Sequence, residues 1–171
     1  MRFGRLGAEL AHGYNAMTTR ESDMLMDIGY QVMEENEVVE FEDALQETAF
    51  VILTGDVKIE WDGKREVMHR ASLFDECPYA LHVPHGRKVV LKALKASQVL
   101  VQKTLNDRDF TPVFYHPADV QADIFGGGMW QGTAERTVRT IFDYDNAPYS
   151  NMVNGEVVNT PGCWPGYIPH N

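Results

Sequence analysis

Between residues 24 and 104 the apolar positions recur in short runs or strict alternation, and nowhere at sustained helical spacing. Val57, Ile59 and Trp61 alternate with Lys58 and Glu60, the pattern of a strand with one face in a core and one in water. Asp62 and Gly63 follow at once, a dipeptide that tolerates the positive φ angles of a tight hairpin turn. The apolar run 48–53 predicts a short strand closed by a turn at Thr54, Gly55 and Asp56. Further strands are predicted over 24–33, 38–41, 66–69, 79–83, 88–94 and 98–102, with turn signals at Asn36, Pro78 and Pro84–Gly86 between them. Many short strands at this spacing predict an all-β fold, an antiparallel sandwich or barrel.

Residues 105–135 break the pattern. Pro112, Pro117 and the triplet Gly126, Gly127 and Gly128 disfavour a helix or a central strand. The segment is nonetheless aromatic (Phe110, Phe114, Tyr115, Phe125, Trp130), too much so for a free linker. After it, 137–142 and 152–159 predict strands that begin a second unit. The expected organisation is therefore a first unit over 1–106, a connecting segment over 107–135, and the opening of a second unit over 136–171.

The charge balance narrows the function classes. The 171 residues hold 15 Lys and Arg against 25 Asp and Glu, a net charge of −10. That balance opposes nucleic-acid binding, which requires a basic face to neutralise phosphates. The longest apolar run is far short of the ~18 residues of a membrane span, and the N-terminus lacks the apolar core of a secretory signal. Two cysteines without CxxC spacing fit a cytoplasmic protein.

Few side chains stand out as chemistry. Glu40, Glu42, Asp43 and Glu47 form an acidic cluster that reads as solvated charge at a strand start, with cation binding as the alternative. His82 and His85 flank Val83 and Pro84. Their spacing of three is wrong for two ligands on one strand face, so both read as turn or surface histidines. Cys77 reads as an inert thiol. No nucleophile elbow, phosphate loop or dinucleotide fingerprint is present.

Parts of two cupin signatures are nevertheless recognisable. Gly55 matches the glycine that closes the first signature, but Thr48 stands at its glutamate position. Pro84 and Gly86 match the second, but Val89 stands at its histidine position. In the last stretch, Gly155-Glu156-Val157 is followed by Pro161-Gly162-Cys163-Trp164 and by Tyr167, Pro169 and His170. The chain here resembles the 5-deoxyglucuronate isomerase family of inositol catabolism, whose members are bicupins.

The resemblance implies a cupin fold, a jelly-roll-like antiparallel barrel (double-stranded β-helix) with its first half complete and only the opening strands of the second. It implies an intramolecular oxidoreductase, an aldose–ketose isomerase that interconverts 5-deoxyglucuronate and 5-dehydro-2-deoxygluconate with help from a divalent metal such as zinc. By resemblance His170 is the first metal ligand. Asn171 is the spacer, and the remaining ligands would fall after it, so this chain is expected to bind no metal and to lack a working site. The sequence departs from the family pattern at Cys163, Gly166 and Ile168. Arg136 and Arg139 are the candidates for a substrate carboxylate, with ion pairing between units as the alternative. No acid–base residue is identified. The rival expectation is a non-catalytic cupin module that binds a sugar acid or mediates assembly. Unfinished sheet edges point to a homo-oligomer in either case.

Overall fold

A computed structural model describes residues 10–164. The alternating segments form strands, and β-branched and aromatic residues dominate their buried positions, as suits a pleated, half-buried surface. The strands of the first unit are β1 (Gly13–Thr18), β2 (Asp27–Met33), β3 (Val38–Phe41), β4 (Gln46–Trp61), β5 (Lys64–Arg70), β6 (Ala80–Val83), β7 (Val89–Ala93) and β8 (Ser97–Leu105). Then come β9 (Val113–Tyr115), β10 (Gln121–Phe125), β11 (Arg136–Phe142) and β12 (Asn154–Asn159). Every pairing among them is antiparallel.

β4 organises the first unit. Its first half pairs with β8 and β6 in a layer of order β1-β2-β8-β4-β6-β9. Its second half pairs with β5 and β7 in the facing layer, where β3 closes on β7. The turn expected at 54–56 is therefore a bend within one long strand. Gly55 makes the bend at φ +100°, and a Cβ there would collide with the side chain and backbone of Ser97. The hairpin after Trp61 forms as predicted, with Asp62 and Gly63 both at positive φ.

The two layers close on an apolar interior. Phe50, Ile52, Val57, Ile59, Trp61, Leu81, Val89, Leu91, Val99 and Val101 form one cluster with Met33, Met68, Val83 and Ala93. β4 is buried on both sides over Gln46–Ile52. Its opposite face meets a second cluster in which Ala49, Val51 and Ala80 pack with Tyr115, Val120, Ile141, Phe142, Ala147 and Met152.

The segment 107–135 divides between the units. β9 adds to β6 at the edge of the first layer, and β10 pairs with β11. β10, β11 and β12 make a separate three-stranded sheet. The architecture is all-β and antiparallel, a nine-stranded sheet followed by a three-stranded one, as the cupin resemblance implies. Among the described residues no helix is long and apolar enough to cross a membrane.

Candidate functional site

Three places in this fold concentrate chemistry, and the first is notable for what fills it. The barrel interior holds a cluster of packed apolar side chains. Thr48 and Val89 occupy the two positions where the signatures carry ligands. A divalent cation needs several converging N or O donors, so this interior does not fit one. Among the described residues no group of three or more His, Cys, Asp or Glu side chains could hold a metal ion. His170 lies outside the described residues, as do Gly166 and Ile168.

The second place is the seam between the barrel and the second unit. Glu47 is 0% exposed at the start of β4, not a solvated edge charge as its sequence neighbours suggested. Its Oε2 accepts hydrogen bonds from His82 Nε2 at 3.0 Å and Asn106 Nδ2 at 3.0 Å. Its Oε1 accepts the Asn151 backbone N–H at 2.7 Å and lies 3.1 Å from the Ser150 hydroxyl. Burial pushes the Glu47 pKa up, but the bonds from His82, Asn106 and Asn151 outweigh it and hold the carboxyl below its ordinary value.

His82 is likewise 0% exposed, which corrects its reading as a turn or surface residue. Its ring stacks on Phe142 at 4.3 Å between centroids and 5° between planes, with Phe110 at 4.6 Å. His82 and Glu47 sit on adjacent strands, and the Ala49↔His82 register brings the imidazole to the carboxylate. Glutamate, histidine and serine together suggest a nucleophilic relay, but the geometry refuses it. Ser150 and His82 both meet the carboxylate rather than each other, and all three side chains are buried away from any substrate. The cluster joins the units.

The third place is the β10–β12 sheet, which has two different faces. Residues of a strand alternate between faces, and the Arg139↔Glu156 pair puts both residues on the face toward the barrel. There Arg139, 6% exposed, donates to the carbonyls of Leu73, Phe74 and Glu76, at 3.0, 2.6 and 2.8 Å. Glu156 accepts two bonds from the fully buried Arg70 of β5, at 2.6 and 2.8 Å, and one from Arg139 at 3.4 Å. Arg136 is three residues earlier and so on the open face. It pairs with Phe125 and Asn159 in register, and its guanidinium lies 5.8 Å from the Phe125 ring centroid. Gln121, Asp123, Val138, Thr140 and Val157 share that face by register.

The two candidate arginines are thus separated by the sheet. Strand parity was the available signal, since residues three apart cannot share a face. Glu47 had no such signal, because its burial depends on Ser150 and Asn151, more than 100 residues away.

A family model described as KduI/IolB matches residues 7–171. Among solved structures, an IolB-like protein from Salmonella typhimurium LT2 superposes with TM-score 0.81 at 13% identity, covering 95% of this chain and 62% of that one. A putative glyoxylate induced protein from Pseudomonas aeruginosa superposes with TM-score 0.58 at 9% identity, covering 78% and 50%. At these identities the likeness is one of fold. The chain spans 62% of the length of the Salmonella protein. No curated protein matches the chain.

Proposed function

Because the chain belongs to the KduI/IolB family, which includes sugar isomerases, we propose that it serves an aldose–ketose isomerisation of a sugar acid, 5-deoxyglucuronate to 5-dehydro-2-deoxygluconate. The single observation that carries this reading is the family match across 7–171, nearly the whole chain. The barrel is assigned the part of scaffold, because apolar side chains pack together in its interior. Substrate is assigned to the open face of the β10–β12 sheet, away from the barrel.

On that face Arg136 is assigned to pair with a substrate carboxylate, whose two oxygens match the planar guanidinium fork. Arg139 faces the barrel, where three carbonyls and Glu156 engage it, and its role is to dock the sheet. The described residues offer no ligand set for a divalent metal, and no step is assigned to one; His170 is the position the family resemblance offers as a ligand.

The reading is tested by incubating the purified protein with 5-deoxyglucuronate, with and without added zinc, and following the substrate aldehyde by proton NMR. Arg136→Ala should weaken substrate binding at least about tenfold, the loss of one charge-assisted pair. Arg139→Ala should lower thermal stability instead. The apolar cluster inside the barrel favours a second reading, a non-catalytic module that binds the sugar acid without turning it over. Binding without turnover would select that reading, and neither binding nor turnover would sink both.

A further inference from the structure

At the end of the open sheet where Phe125, Arg136 and Asn159 align, the chain builds a cleft of about 670 Å³ lined by Trp130, Gln131, Thr133 and Trp164. That volume falls within the ~300–1,000 Å³ range of small-molecule sites. The indoles of Trp130 and Trp164 are 67% and 61% exposed. Tryptophans this open usually mark a contact surface, because water is a poor neighbour for so much apolar area.

The cleft is held in shape by its own backbone. Trp130 and Gln131 are consecutive residues at φ +52° and +59°, a left-handed conformation that L side chains rarely adopt. Thr133 secures it by donating its N–H to the Trp130 carbonyl at 3.2 Å and its hydroxyl to the same oxygen at 2.7 Å. The second wall is tied to the first by the Trp164 N–H, which reaches the Thr133 carbonyl at 2.8 Å. Cys163 Sγ adds a contact to the Gly132 carbonyl at 3.4 Å. Two sequence-distant indoles therefore line one cleft, together with Gln131.

We infer that this cleft is the subsite for the carbon skeleton of a monosaccharide acid. The inference deepens the isomerase reading and rests on it for the ligand's class. Among the described lining residues two are indoles and none is charged, which suits the C–H face of a sugar stacked on indole better than a phosphate or a metal chelate. The Gln131 amide provides a donor and an acceptor for hydroxyls. A carboxylate at one end of the sugar is complementary to Arg136, which register places at the same end of the sheet. An occupant with a hydroxylated body and a single anionic end satisfies both features.

Intrinsic fluorescence tests this directly. The chain has three tryptophans, and Trp61 is buried in the barrel core, so a ligand at the cleft perturbs only Trp130 and Trp164. Titration of the full chain with D-glucuronate should give a saturable change, and D-glucose a change with at least tenfold weaker affinity. Trp130→Ala should weaken glucuronate binding at least tenfold with the melting temperature little changed, and Trp130→Phe should recover part of it. Gln131→Ala offers a second variant should Trp130→Ala fail to fold.

A saturable change that survives in both Trp130→Ala and Gln131→Ala would overturn the inference. So would no change with any sugar, or dimerisation that quenches the tryptophans without ligand, which would assign the cleft to a second copy of the chain. Turnover of 5-deoxyglucuronate with no dependence on Trp130 would discard the subsite and keep the isomerase reading. Cleft binding without turnover would do the reverse.

Discussion

Glu47 shows how much one side chain can settle. Its carboxylate gathers donors from β6, from the residue after β8 and from the Ser150 loop, so it fastens three segments at once. Replacing it by alanine leaves the buried His82 Nε2 without its partner and takes one of two acceptors from the Asn106 amide. Glu47→Ala should therefore cost about 3 kcal/mol or more in urea unfolding. The same residue makes stability depend on acid. A carboxyl held below its ordinary value in the folded state adds stability that is complete above the unfolded value, about pH 4.3, and is lost as pH falls through the folded value. Glu47→Gln should be less stable than the parent at neutral pH. Its stability should also fall less steeply below about pH 4.3, checked by urea midpoints across that range. Gly55 is a second such position. Gly55→Ala adds a Cβ against Ser97 at φ +100°, and should cost about 2 kcal/mol or more by the same measurement.

At the scale of elements, the sequence reads well where a strand is short and its turn is local. β3, β5, β7, β11 and the hairpin after Trp61 lie where alternation and the Asp62-Gly63 dipeptide place them. β1, β9 and β10 escape that reading. β10 is exposed along its whole length and has no buried face to write into its pattern, and β9 is only three residues long. The expected turn at Gly55 is a bend because β4 has partners on both sides of it, which no local signal records. Between elements, the Arg70–Glu156–Arg139 cluster binds the second sheet to β5 and the loop after it. Glu156→Gln leaves the fully buried Arg70 without its counter-charge and should cost about 3 kcal/mol. Faster proteolysis within β11 and β12 would confirm that the lost energy is that of docking.

For the whole molecule, the cluster of Ala49, Val51 and Ala80 with Ile141, Phe142 and Met152 is a shared core rather than a contact between finished surfaces. Barrel and second unit should therefore unfold in one cooperative transition. Phe142→Ala removes the ring stacked on His82 and should cost about 3–5 kcal/mol. Amides of β4 near Ala49 and Val51 should then lose hydrogen-exchange protection together with those of β11. Two separate transitions would show that the seam is weaker than its packing indicates.

The sequence by itself determined the fold class, the main strands and the family. Period-two alternation and turn chemistry are local properties, and a signature is a string that survives whatever packs around it. Only the tertiary structure decided which polar residues matter. It buried Glu47 and His82 against loops remote in the chain, turned Arg139 to the barrel and Arg136 to the open face, and brought Trp130 and Trp164 to one cleft. Burial and juxtaposition are set by partners far away in sequence, so they appear only when the chain is folded.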